Sequence, residues 1–420
     1  MMCCRPIAVI NSLLLASSVS ILSLPFLAHA AGARPSTDAH FLGGMVPAGR
    51  WAAVIDNRYR TSTERFNNEG DRESLTEESD GLVLDSEVVP LLAGFGPGAS
   101  LGTVSLNAKL RERRHDLTVG YGVTENLTVG FSIPYGSNET TVDFEMLGGN
   151  LAINPFFDSS QPISVTNSPL VPVGMLGTTE PAGTEGVQQI LTDPIYGYEY
   201  DEIDTTRTSG MGDPLIGFRW RFYNDSVSRA ILTPVVRLGM SDENNPNDLF
   251  DVAIDDGSTD LRLQAEYIRS LSRGFDTRLR FRYTWQFPDS ITARAYAEGE
   301  YLVPQSRTEE LDRDLGDMAE SYLELGYHAG DWRLYGALEF MRKGSDRYSS
   351  PSGQDVSGLE ANTEQEDDLI SVGFSWSGVN SWREKKLPLP LLFQAGYRKH
   401  LSGRNRLDRT EYQLSITVVF

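Results

Sequence analysis

Along much of the chain, apolar and polar residues take turns. Leu127, Val129, Phe131, Ile133 and Tyr135 are separated by Thr128, Gly130, Ser132 and Pro134. Leu117, Val119, Tyr121 and Val123 are separated by Thr118, Gly120 and Gly122, and Thr124-Glu125-Asn126 joins the two runs as a hairpin. The same beat returns over 277–285, 332–340 and 412–420, where the chain ends on Phe420. A period of two makes one face of a strand apolar and the other polar. In a sandwich the apolar face is the core; in a membrane barrel it meets lipid.

Length separates the two. The pattern predicts strands near 51–61, 108–122, 127–136, 211–223, 229–240, 260–271, 275–286, 319–328, 332–341, 368–378, 389–400 and 409–420. Most reach the roughly 9–11 residues that a tilted strand needs to cross a bilayer. The connections after even-numbered strands are short or moderate (Thr124 to Asn126, Asn224 to Ser228, Ser272 to Gly274, Ala329 to Asp331, Val379 to Pro388). Those after odd-numbered strands are long: 62–107, 137–210, 241–259, 287–318 and 342–367, with 401–408 a short exception. The expected fold is therefore all-β, a transmembrane antiparallel up-and-down β-barrel of about twelve strands with short periplasmic turns and long extracellular loops. Aromatics at strand ends (Trp51, Tyr135, Phe222, Tyr223, Trp285, Tyr327, Trp332) suit an interfacial girdle.

The N-terminus fits this destination. Arg5 precedes an apolar run from residue 7 to 27 that ends in Ala28-His29-Ala30, the form of a secretory signal cut after Ala30. The expected organisation is a cleaved signal peptide over 1–30, a periplasmic segment over 31–50 and a barrel over 51–420. Cys3 and Cys4 leave with the signal, which excludes disulfides, thiolate metal sites and a cysteine nucleophile from the remainder. The formal net charge of −21 opposes nucleic-acid binding.

If the apolar faces meet lipid, the polar faces define a lumen. They carry Arg219, Arg221, Arg237, Arg262, Glu266, Arg278, Arg280, Arg282, Glu324, Arg333, Glu339 and Arg398, with Gln264 beside them. An arginine on the lipid face at mid-bilayer costs about 2–4 kcal/mol, so these side chains are expected inside. They form either a pore wall whose positive face favours anionic or polar solutes, or a ladder of Arg–Glu pairs that fills a narrow barrel. The proline-rich stretch 150–195 either folds on itself or dips into the mouth; it reads as a constriction or lid, or as a mobile surface loop. Acidic runs at 241–260, 309–314 and 364–368 read as solvated loops rather than calcium sites, because no EF-hand spacing is present. No cofactor and no enzyme activity is expected. His40, His115, His328 and His400 lack a metal-ligand spacing, Gly-x-Ser-x-Gly is absent, and Gly94-Phe95-Gly96-Pro97-Gly98 lacks the Lys-Ser/Thr of a phosphate loop.

Two stretches resemble a known family. Val119-Gly120-Tyr121-Gly122-Val123-Thr124-Glu125-Asn126-Leu127-Thr128-Val129-Gly130-Phe131-Ser132-Ile133-Pro134-Tyr135 and Gly210-Met211-Gly212-Asp213-Pro214-Leu215-Ile216-Gly217-Phe218-Arg219-Trp220-Arg221-Phe222 are similar to motifs of the outer-membrane barrels labelled meta-pathway phenol-degradation proteins or transporters. The resemblance covers strands two to four. It implies an outer-membrane location and uptake of small, aromatic or apolar compounds. The expected function is a porin-like channel for passive uptake of small molecules, aromatic or anionic. The alternatives are a plugged structural surface barrel and an outer-membrane lipase. The expected partners are outer-membrane lipid and lipopolysaccharide, a small-molecule solute, and the assembly machinery that accepts C-terminal strands ending like Phe420.

Overall fold

The computed structural model describes residues 45–164 and 166–420. The signal at 1–30 and the stretch 31–44 lie outside the described residues. Twelve long strands make one antiparallel sheet. They are β1 (Trp51–Phe66), β2 (Ser100–Thr124), β3 (Leu127–Leu147), β4 (Leu215–Asn224), β5 (Ser228–Arg237) and β6 (Asp260–Ser270), followed by β7 (Phe275–Gln286), β8 (Met318–Ala329), β9 (Trp332–Lys343), β10 (Gln365–Ser377), β11 (Leu391–Arg404) and β12 (Arg406–Val419). Each pairs with its neighbour in the chain, and β1 pairs with both β2 and β12, so the sheet closes. Closure gives every strand two partners, which a wall in hydrocarbon requires.

The outward face is apolar. Leu117, Phe131, Phe218, Trp220, Leu279, Phe281, Leu334 and Ile416 all stand open on the barrel surface. A continuous patch of this extent is untenable in water and belongs against acyl chains. Rings crowd the end where the chain termini meet: Trp51 lies 4.9 Å from Tyr121, and Phe275 lies 5.0 Å from Tyr327, centroid to centroid.

The first three strands run further than the sequence pattern predicts, with β2 reaching 25 residues and β3 21. The alternation does not stop there; it inverts. Below Leu117 and Tyr135 the inward side is polar, whereas above them Leu106, Leu110, Val142 and Met146 are buried inward while Arg113, Glu139 and Asp143 turn outward or upward. These upper parts stand above the bilayer, where water is outside and an apolar core within. The predicted 401–408 loop shrinks to Asn405 alone, at φ +52°: β11 and β12 part after Lys399 and Thr410, but β10 keeps β11 extended to Arg404 and β1 keeps β12 extended from Arg406. Asparagine tolerates that left-handed turn.

Loops L1 (67–99), L2 (148–214), L3 (238–259), L4 (287–317) and L5 (344–364) gather at the opposite end from the termini. L2 folds on itself and packs on the inward-facing upper parts of β2 and β3. It folds as a small hairpin, 151–153 with 170–172, and a helix α1 (Gly183–Thr192). Val187, Ile190 and Leu191 of α1 pack with Leu84, Leu92, Leu101, Val104 and Met146 into a cap. At the other end, residues 45–50 lie tucked against the wall: Val46 donates its amide to Thr128 Oγ1 at 3.0 Å, and Gly122 sits so close to Pro47 that no Cβ would fit.

Candidate functional site

The interior is built by alternation alone. On β7, Arg280 and Arg282 point in because Leu279 and Phe281 point out. Arg282, almost fully buried, donates to Gln264 at 2.7 Å and pairs with Glu320 at 3.2 Å. Arg219 reaches past β5 to Glu266 on β6, at 3.1 Å. Arg280 reaches past β8 to Glu339, at 3.8 Å, with its guanidinium 4.2 Å from the Tyr322 ring centre. Glu339 also meets Arg398 of β11 at 2.8 Å. Arg333 bridges Asp276 and Glu324, each at 2.6 Å, and Glu324 lies 4.0 Å from Arg278. Arg262 is buried in the same layer, within electrostatic reach of Glu320 and Asp260. Ties that skip a strand form only on a concave side, so these side chains face the enclosed axis.

Two of the twelve residues singled out from sequence do other work. Arg221 is spent on the β2–β3 turn, donating to Glu125 O at 2.6 Å and Asn126 Oδ1 at 3.0 Å. Arg237 holds a loop, as described below. The sequence reading also passed over half of the ring. Arg58 pairs with Asp116 at 2.5 Å and with Asp56 at 3.2 Å, and Arg60 pairs with Glu411. Arg409 pairs with Glu112 at 2.8 Å, and Arg406 with Asp367 at 3.2 Å. The signal was there: Asp56, Arg58 and Arg60, like Glu112, Arg114 and Asp116, stand two apart. Arg60, Arg398, His400, Arg409 and Glu411 line a small polar pocket within this layer.

The extracellular mouth is crossed by L3, the stretch expected to be a solvated acidic loop. Its Asp251 and Asp255 are buried instead. Asp255 takes Arg114 Nη1 at 2.8 Å and Nη2 at 3.0 Å, and accepts the Asp213 amide at 2.9 Å. Gly212 makes room, since a Cβ there would fall 2.1 Å from Asp255 Oδ2. The Gly-Asp-Pro of the second motif is thus the seat of L3. Arg237 meets Asp256 and Asp260 at 2.7 Å each, and Ser258 Oγ at 2.8 Å. Asn138 donates to the carbonyls of Val252 and Ala253, and Arg313 to that of Asp256. Ile254 lies over Gly136 on the inner wall. Burial pushes the Asp213 carboxyl above the usual carboxylate range. For Asp256 burial pushes the same way, but Arg237 and the Ser258 amide outweigh it and hold this carboxyl below that range. The acidic residues pay for their burial with partners that lie far away in sequence.

Among the described residues no cluster of His, Cys, Asp and Glu has the arrangement of a metal site. No family model matches the chain, and no curated protein does. Solved structures do. An outer-membrane channel of Pseudomonas putida F1, described as COG4313, superposes with a TM-score of 0.52 at 12% identity, covering 89% of this chain and 97% of that one. The translocator domain of the autotransporter NalP from Neisseria meningitidis (TM-score 0.38, 10% identity, 87% and 88% covered) and a TodX monoaromatic hydrocarbon channel mutant (0.38, 10%, 89% and 90%) match more loosely. With a closed twelve-stranded wall, an apolar exterior and a charged interior, the chain has the fold of an outer-membrane β-barrel.

Proposed function

We propose that the protein is an outer-membrane channel for passive passage of small molecules, held shut in this conformation by L3. The attachment of L3 carries the reading. The strap crosses the mouth on ion pairs and hydrogen bonds to Arg114, Asn138, Arg237 and Arg313, contacts that water or a passing solute can replace, while its Phe250 and Val252 pack into apolar clusters of the cap and of Leu75, Leu110 and Leu407. The COG4313 protein similar in fold is called a channel, and the motifs at 119–135 and 210–222 resemble a transporter family, which favours aromatic solutes. Pairing of the inner arginines with carboxylates cancels much of the positive face that would favour anions. The reading assigns no catalytic residue.

Planar bilayers test it. Wild-type protein gives discrete conductance steps above the control, and Asp255→Asn, which weakens the grip of Arg114, gives larger or longer ones. Silence from both proteins removes the channel and leaves a plugged structural barrel, the reading that the paired interior charges favour.

A further inference from the structure

The outer surface above the apolar belt is not uniform. On β2 the outward residues change from Leu117 to His115, Arg113, Arg111 and Lys109 within one strand. The neighbouring strands fix the level of this change. Tyr135 pairs with His115 and Tyr59 with Arg113, so two tyrosines mark the rim where the belt ends. Such rings settle at headgroup depth. Beside them a short strand, Thr206–Met211, pairs with β3 and sets Arg207 opposite Glu139.

Glu139 draws two of the cations together. It accepts from Arg111 at 2.7 Å on one oxygen and from Arg207 at 2.9 Å on the other. Arg113 is exposed next to them. Residues two apart on a strand are separated by about 6.6 Å, and strands by about 4.8 Å, so the cations share a patch of roughly 13 by 10 Å. Four cations gather around Glu139, with Asp143 further up β3 diagonal to Lys109, in a chain whose net charge is −21. The rest of the rim is different: on β9 and β10 the outward Arg342 is met by Glu366 and Asp368. The positive field is therefore local and lies where lipid headgroups begin.

We propose that Lys109, Arg111, Arg113 and Arg207 form a binding site for the phosphate of an anionic lipid of the outer leaflet, the phosphorylated glucosamine of lipid A. Guanidinium forks match phosphate oxygens in pairs, and a headgroup seated here keeps its acyl chains along Leu117, Ile133 and Tyr135. The carboxylate of Glu139 holds two forks in place before the lipid arrives. The site lies outside the lumen and is independent of whether the barrel conducts.

The test is thermal unfolding of the detergent-solubilised barrel, with EDTA present, titrated with lipid A, with dephosphorylated lipid A, and with inorganic phosphate. Lipid A is expected to raise the Tm in a concentration-dependent way. The triple variant Arg111→Gln, Arg113→Gln, Arg207→Gln loses most of that rise, and Arg342→Gln keeps it. Native mass spectrometry of the same samples counts bound lipid directly, so a triple variant of altered stability still reports. The proposal is overturned if the triple variant binds lipid A as wild type does, if dephosphorylated lipid A gives the same rise, or if inorganic phosphate alone reproduces it.

Discussion

Phe281 and Arg282 are neighbours in sequence and live in different solvents. Phe281 is 53% exposed on the lipid side and Arg282 is 1% exposed on the inner side. Phe281→Arg should therefore cost about 2–4 kcal/mol in reversible denaturant unfolding from lipid vesicles, the penalty for a charge on the lipid face near mid-bilayer. Arg282→Ala is expected to cost roughly 3–5 kcal/mol in the same assay, because it strands Glu320 inside. Equal, small effects at both positions would contradict the assignment of faces. Which side each residue takes was legible from the alternation, and ten of the twelve inner residues chosen from sequence, all but Arg221 and Arg237, join the ion-pair layer or lie in it. Their partners on β1, β2 and β12 were missed although the same rule reaches them. What no rule of spacing reaches is the pairing itself: nothing in the sequence says that Arg219 finds Glu266 two strands away, or that Arg221 turns aside to a hairpin carbonyl.

Strands declare themselves in sequence, and loops do not. All twelve strands were legible because a lipid wall demands a long, regular beat. L2 drew attention through its prolines and apolar clusters, which pack into the cap; L3 looked like a solvated acidic run and is the element that crosses the mouth. Asp255 and Asp256 are held by Arg114 and Arg237, and the Asp256 carbonyl by Arg313, residues contributed by β2, β5 and L4, and no local pattern encodes that meeting. The acidity of L3 also sets when the strap yields. Asp256 has a lowered pKa, so its contribution is present above the ordinary carboxylate value of about 4 and is lost as pH falls through the lower folded value. Asp213 has a raised pKa and works in the opposite sense, gaining its proton first and easing its own burial. The loss of the Asp256 contribution should therefore raise conductance as the pH falls below about 4, where the unfolded-state carboxylates titrate. A rise centred near pH 6.5 would assign the response to a histidine instead.

As a whole, the molecule sorts its chemistry into zones: apolar outside, paired charge inside, an apolar-cored cap with an acidic skin on top. The outer-membrane class was legible before any coordinates, from strand length and the segregation of loops; the closure of the mouth was not, because it depends on contacts between distant segments. A wall of this kind resists detergent at room temperature, so protein extracted from the outer-membrane fraction should run faster on a gel unheated than boiled. Identical migration with and without heating, from protein that needs no detergent, would undo the membrane assignment. Eleven of the twelve seams join strands that follow each other in the chain. The twelfth ties Trp51 to Phe420, amide to carbonyl in both directions at 2.9 Å. An up-and-down chain can zip each hairpin as it appears, yet the sheet stays an open ribbon with two raw edges, β1 and β12, until those strands meet. Such an edge invites other strands, and the wait for a contact between opposite ends of the polypeptide is long. Until that seam forms, β1 and β12 both stay unprotected, and the Trp51–Phe420 pair is what finishes the cylinder.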